Sequence, residues 1–124
     1  IQDALNLHKK AANGSRVLIL GVAYKPNIDD IRESPALDVI HLLQEKGADV
    51  VYHDPFIPEV DHENLVMTSV PDLMSEVRRA DCVAIITNHS QYDYPAILKE
   101  AQIVVDTRNA LGKLGKDNPK VVRL

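Results

Sequence analysis

Short apolar runs alternate along this chain with segments of helical periodicity, and this alternation limits the possible folds more than any other feature of the sequence. The apolar runs predict strands at Arg16–Leu20, Asp49–His53, Val66–Thr68, Cys82–Thr87, Ile103–Asp106 and Val121–Arg123. The helical spacing predicts helices at Ser34–Lys46, Asp72–Ala80 and Tyr94–Ala101. Alternating strands and helices build βαβ units, whose right-handed crossovers place helices on both faces of a parallel sheet. We therefore expect an α/β fold: a doubly wound, three-layer domain with a mostly parallel sheet.

The first residues carry the pattern of a helix that has no start signal. Ile1, Ala4, Leu5 and His8 fall at helical spacing, and no capping residue precedes them. Helices usually begin with a side chain that accepts a hydrogen bond from an amide of the first turn. We therefore expect residues 1–12 to be the end of an inter-domain helix, residues 13–124 to form one ligand-binding domain, and the chain to be a fragment of a longer protein.

Composition narrows the class of partner. The 124 residues carry a net charge of -4, so no broad positive field attracts nucleic acid. Apolar runs such as Val83–Ile86 are far too short to cross a bilayer. Cys82 is the single cysteine, so no internal disulfide can form, which is typical of a reducing compartment. We expect a cytoplasmic protein with neither nucleic-acid nor membrane partners, which binds anions only at a local basic cluster.

The loop after the first predicted strand is the first place to seek a ligand site, because ligands of parallel sheets bind beyond the carboxyl ends of strands. It starts at Gly21 and lacks the G-x-G-x-x-G pattern that brings backbone amides close to a pyrophosphate. The sheet is therefore not predicted to be a primary NAD-binding domain. Lys25 offers a positive charge suited to a phosphate, and Tyr24 adds a ring face and a hydroxyl. Arg32 precedes the helix start at Ser34, where the helix dipole favours an anion.

Two later loops are expected to open at the same edge of the sheet. Residues 88–94 form a dense run of hydrogen-bonding groups after one strand, and residues 107–109 follow another. We predict that Lys25, Arg32 and Arg108 converge there on a diphosphate.

Simpler interpretations of these charges stay open. Solvated ion pairs are common and contribute little. One interpretation pairs the cations of the first loop with its acidic residues, Asp29, Asp30 and Glu33. Another pairs Arg108 with Asp106 or with a helix end.

Neither a metal centre nor a nucleophile is predicted. The histidines show no ligand spacing and no cysteine cluster lies near them: His8, His41, His53, His62 and His89. Cys82 starts an apolar strand and is expected to be an inert core thiol, because reactive thiols need a partly exposed electropositive setting.

The stretch from Gly21 to Pro35 (GVAYKPNIDDIRESP) closely resembles the signature that opens the C-terminal domain of the UDP-glucose/GDP-mannose dehydrogenase family. The resemblance continues through Gly47-Ala48, Tyr52–Pro55, Ala80-Asp81, Thr87–His89 and Val105–Asn109, and so covers nearly the whole chain.

The resemblance implies a Rossmann-like UDP-sugar-binding domain of an enzyme that oxidises the C6 alcohol of a nucleotide sugar to a carboxylate in two NAD-dependent steps. It implies that Tyr24, Lys25 and Arg108 contact the substrate and that Arg32 reaches towards NAD. NAD would be bound mainly by an N-terminal domain, and a central helical region would form a homo-oligomer. The family's catalytic cysteine and lysine lie upstream, so no catalytic residue is expected here and the chain alone should be inactive.

Three segments resemble the branch of the family that acts on UDP-N-acetylhexosamines: Tyr24, Asn88–Ser90 and Asp106–Asn109. UDP-N-acetylglucosamine is the first expectation, with UDP-glucose and UDP-N-acetylmannosamine as alternatives. More distant alternatives are a flavodoxin-like regulatory module that binds magnesium at Asp29-Asp30, and a scaffold module without catalysis.

Overall fold

The computed structural model describes residues 13–23, 25–27, 30–31, 34–62 and 64–123. Seven strands are described: β1 (Arg16–Leu20), β2 (Asp49–His53), β3 (Glu59–His62), β4 (Leu65–Thr68), β5 (Cys82–Ile85), β6 (Val104–Asp106) and β7 (Val121–Arg123). Three α-helices accompany them: α1 (Pro35–Glu45), α2 (Leu73–Arg79) and α3 (Tyr94–Glu100). The expected helix at residues 1–12 lies outside the described residues.

Five strands form one parallel sheet in the order β2-β1-β5-β6-β7. The chain leaves β1 for β2 on one side and then returns past β1 to β5 on the other. The loops that follow β1 and β5 therefore diverge, which makes this the switch point where parallel sheets bind ligands.

Alternating side chains of β1 divide the core between the two faces of the sheet. Val17 and Ile19 belong to the cluster that contains the apolar face of α1, whereas Leu18 and Leu20 belong to the cluster that contains α2 and α3. All four side chains are 0% exposed, as expected for a central strand covered on both sides. The predicted three-layer, doubly wound α/β fold is confirmed.

Helix α1 begins at the predicted start and has recognisable signals at both ends. The Ser34 hydroxyl accepts a hydrogen bond from the Ala36 amide, and Pro35 occupies the first turn. Gly47, just past the helix end, has a φ of 85°, in the left-handed region that favours glycine.

The predicted strand at Val66–Thr68 is not part of the parallel sheet. It belongs to β4, which pairs antiparallel with β3 as a separate hairpin whose turn contains Asn64 at a φ of 68°. β3 carries one apolar residue, Val60, so it gives no apolar run in the sequence. Val60 is nevertheless buried, because the hairpin contributes to the α1 side of the core.

No helix among the described segments has both the length and the apolar character needed to span a membrane.

Candidate functional site

A pocket of about 320 Å³ lies at the carboxyl edge of the sheet. It is lined by Lys25, Pro26, Thr87, Asn88 and Arg108. These residues come from the loops after β1, β5 and β6, so the pocket lies at the topological switch point. Its volume is within the range of small-molecule sites.

Gly21 brings the first two of these loops into contact. Its φ is 85°, and a Cβ added to it would lie 2.5 Å from Thr87 Cβ and 2.6 Å from the Thr87 carbonyl oxygen. The Thr87 hydroxyl donates a 2.7 Å hydrogen bond to the Ala23 carbonyl. Only glycine allows this approach, because any side chain would collide with Thr87.

Asp106 shapes the third loop. Its Oδ1 accepts from the amides of Arg108 (3.1 Å) and Ala110 (2.9 Å), and its Oδ2 accepts from the Leu111 amide (3.0 Å). The carboxylate is 1% exposed and therefore acts as the cap of a tight turn. Asp106 and Arg108 form no salt bridge in the part of the chain that the structure describes.

The Arg108 side chain is held from the neighbouring strand end. Its Nε donates a 2.9 Å hydrogen bond to the Ile86 carbonyl, while the residue remains exposed at the pocket. A guanidinium fixed through Nε still presents its two terminal nitrogens as donors in a planar fork, which matches the oxygens of a phosphate.

Asn88 is oriented by Tyr94 at the start of α3. The Tyr94 hydroxyl donates to Asn88 Oδ1 at 2.7 Å. Burial, followed by the nearby charge of Asp106, raises the pKa of Tyr94, so the phenol stays a donor at neutral pH. This bond leaves the amide nitrogen of Asn88 to donate to a ligand.

A buried acid–imidazole pair lies beneath the loop that carries Lys25. Asp54 Oδ2 and His89 Nε2 are 2.8 Å apart, and the two residues are 2% and 0% exposed. The sequence did not single out either residue, since their partners are far along the chain. The one available signal was their position: Asp54 directly follows β2, and His89 lies in the loop after β5.

The UDP binding domain of the UDP-glucose/GDP-mannose dehydrogenase family matches residues 18–113, a range that includes every residue lining the pocket. The chain belongs to this family. The family resemblance of the loop at residues 21–35 is thereby confirmed.

Relatives of this chain are named for several nucleotide sugars. UDP-glucose 6-dehydrogenase of Rhizobium meliloti is 32% identical over 106 residues, which are 81% of this chain and 24% of that protein. UDP-N-acetyl-D-mannosamine dehydrogenase of Yersinia pestis is 28% identical over 111 residues, 87% of this chain and 26% of that protein. The solved NDP-N-acetyl-D-galactosaminuronic acid dehydrogenase of Methanosarcina mazei superposes with a TM-score of 0.78 at 26% identity, covering 98% of this chain and 26% of that one. The chain thus spans about a quarter of the length of these relatives.

The fold brings two of the four predicted binding residues to one pocket, namely Lys25 and Arg108. Tyr24 and Arg32 lie outside the described residues. No binding role was predicted for the other lining residues, although the family resemblance includes them: Pro26, Thr87 and Asn88.

The described lining of the pocket contains neither a cysteine nor a group of metal ligands. Cys82 is 0% exposed at the amino end of β5, and burial raises the pKa of its thiol to about 12. In the described ranges, no three His, Cys, Asp or Glu side chains lie close enough together to hold a metal ion.

The loop after β1 does not have the form of a dinucleotide-binding loop. The loop after β1 contributes one glycine, Gly21, which lies against Thr87, and it continues through Lys25 and Pro26. A dinucleotide loop instead needs several glycines, so that successive amides can approach the phosphates. The only NAD contact that the sequence predicts is Arg32, which the structure does not describe.

Proposed function

We propose that this domain holds the UDP portion of a UDP-sugar within an NAD-dependent UDP-sugar 6-dehydrogenase. The supporting observation is that Lys25 and Arg108, from loops after different strands, line one pocket at the switch point of the sheet. The chain carries a net charge of -4, so two cations at one pocket are not a consequence of a generally basic surface. A diphosphate is the part of a nucleotide sugar that needs them.

Each cation has its own task in this proposal. Lys25 is exposed on a flexible stem and supplies a point charge to one phosphate. Arg108, fixed through Nε, supplies paired donors to the other. Asn88 donates to the nucleoside, and Tyr24 contributes a further substrate contact. Arg32 extends towards NAD.

The domain binds and orients the substrate, while the redox chemistry belongs to other segments. Oxidation of the C6 alcohol to a carboxylate takes one oxygen from water, releases three protons and transfers two hydrides, each of which would be accepted by a separate NAD. The catalytic cysteine and lysine, the main NAD-binding domain and the central region that forms a homo-oligomer would lie outside these 124 residues. The role of this chain is therefore to fix the nucleotide end, so that C6 is presented at a constant position.

UDP-N-acetylglucosamine is the sugar nucleotide that we propose first, ahead of UDP-N-acetylmannosamine and UDP-glucose. Support comes from the resemblance of Asn88–Ser90 and Asp106–Asn109 to the N-acetylhexosamine branch. Relatives include dehydrogenases named for UDP-N-acetyl-D-mannosamine and for UDP-glucose, so direct competition between the three nucleotides at the pocket decides the order.

Calorimetric titration of UDP into the chain tests the binding role. Lys25→Ala and Arg108→Ala should each weaken UDP binding about 10- to 100-fold, since a hydrogen bond to a charged group contributes roughly 1.5–3 kcal/mol. Lys46→Ala is the matched control, because Lys46 is also an exposed lysine but lies past the end of α1. A scaffold module would bind no UDP, and loss of affinity in Lys46→Ala equal to that in Lys25→Ala would contradict the proposed pocket.

A further inference from the structure

The segment that carries Lys25 is fastened at both of its ends. The first anchor holds the amides of Val22 and Ala23, and the second holds the amide of Asn27. Both anchors are side chains from other parts of the fold, Asp54 after β2 and His89 after β5. Lys25 and Pro26 therefore lie between two anchored points of the chain.

The first anchor is a carboxylate that accepts four hydrogen bonds. Asp54 Oδ2 accepts from the Val22 amide at 2.8 Å, from the Ala23 amide at 3.0 Å and from His89 Nε2 at 2.8 Å. Its Oδ1 accepts from the Phe56 amide at 2.8 Å. With four donors in a site that is 2% exposed, the carboxylate has one arrangement available to it.

The second anchor is an imidazole of one defined tautomer. The Asn27 amide lies 2.7 Å from His89 Nδ1, and a backbone N–H can only donate, so Nδ1 is the acceptor. The ring proton is then on Nε2, which donates to Asp54. Ser90 reinforces this end, since its amide and hydroxyl both donate to Asn27 Oδ1.

We propose that Asp54 and His89 are positioning residues for the nucleotide pocket: they hold the segment that carries Lys25 and Pro26 against the loop after β5. The proposal rests on the proposed UDP-binding role of that pocket. A loop that is already ordered does not lose conformational entropy when the ligand binds, so affinity should depend on the two anchors although neither lines the pocket.

A purely structural role for Asp54 and His89 would give a different relation between UDP affinity and stability. If Asp54 and His89 only stabilised the carboxyl edge of the sheet, affinity for UDP would fall in proportion to stability, whichever hydrogen bond was removed. If they position the loop, the bond from Asn27 to His89 controls affinity separately from stability.

Two substitutions of His89 separate its two hydrogen bonds. His89→Asn keeps an acceptor near the position of Nδ1 and loses the donor to Asp54, whereas His89→Gln keeps a donor near Nε2 and loses the acceptor for Asn27. In His89→Gln, exchange of the Asn27 amide should accelerate and UDP affinity should fall, each about tenfold. In His89→Asn, both should stay within about threefold of the wild type, although the melting temperature falls.

Amide exchange is measured by NMR on the ligand-free chain, so it tests loop anchoring even if the wild-type chain binds no UDP. In that event the proposed function fails, and the exchange of Asn27 in the two variants alone decides the anchoring. Unchanged Asn27 exchange in His89→Gln would overturn the inference. Equal affinity losses in the two variants, proportional to their loss of stability, would also overturn it.

Asn27→Ala provides the second test if His89→Gln does not fold. Asn27 is exposed, has a φ of 61° that alanine adopts poorly, and is the acceptor for Ser90. Its replacement should loosen the loop without disturbing the buried pair, weakening UDP binding several-fold while the melting temperature falls only by the cost of the left-handed backbone. Unchanged affinity and unchanged exchange of residues 22–27 would contradict the inference.

Discussion

Gly21 is the residue on which the close approach of two pocket loops depends. Gly21→Ala should destabilise the fold by roughly 2–4 kcal/mol, because it combines a left-handed backbone with a collision against Thr87. The denaturation midpoint in urea measures the loss.

Gly14→Ala is the control for the backbone part of this effect. Gly14 has a φ of 83°, close to the 85° of Gly21, but a Cβ there would meet open space. Its replacement should destabilise the fold by only about 1–2 kcal/mol, the part due to the left-handed conformation. Equal losses at the two positions would show that the contact with Thr87 does not constrain the loop.

Sequence reasoning reached some site residues and not others, for a physical reason. Lys25 and Arg108 were predicted because ligands of parallel sheets bind beyond the carboxyl ends of the strands, so a residue that follows a strand is already placed near that edge. Asp54 and His89 were not, because their partners lie 31–35 residues and 62 residues away, and a carboxyl or imidazole side chain does not indicate which amide it will bind. Long-range pairing of this kind is decided only once the chain has folded.

At the level of whole elements, the first two strands of the parallel sheet were the easiest to predict. The bounds of β1 and β2 agree with the apolar runs at Arg16–Leu20 and Asp49–His53. In the hairpin, β4 was predicted and β3 was missed. The reason is that β3 exposes alternate residues and its sequence, EVDH, contains one apolar side chain. Edge elements of this kind owe their strand conformation to the neighbours that they contact.

The end of β2 makes stability depend on pH through His53. Burial lowers the pKa of His53, with Asp54 opposing and His89 adding to the effect. As pH falls, the unfolded chain takes up this proton before the folded one, so stability falls below the ordinary histidine pKa of about 6.5. The urea midpoint of the wild type should therefore be lower near pH 6 than near pH 8.

His53→Gln isolates this contribution. In the wild type, the Tyr92 hydroxyl donates to the His53 carbonyl and contacts the His53 ring nitrogen. Glutamine retains hydrogen-bonding groups near Tyr92 but does not titrate. The part of the pH dependence that comes from His53 should disappear in this variant. A wild-type midpoint that rises as the pH falls would contradict the sign of the pKa shift.

At the scale of the whole molecule, the pocket and the single thiol lie in different parts of the fold. The pocket at the switch point offers two cations and an amide, whereas the single thiol, Cys82, is buried in the core with a pKa raised to about 12. A thiol of that pKa is almost entirely protonated at neutral pH and cannot attack an aldehyde. The 124-residue chain should therefore bind UDP-sugars without oxidising them.

This expectation is tested by incubating the chain with NAD and each of the three UDP-sugars and following the absorbance of NADH. A UDP-glucose 6-dehydrogenase assayed in parallel shows that the substrates and conditions support turnover. We expect no NADH above the rate without protein, while calorimetry on the same preparation detects UDP. NADH formation that is abolished by Arg108→Ala would place the redox chemistry within this domain. The assignment of the pocket to binding alone would then be wrong, because a catalytic group would have to lie within reach of Arg108.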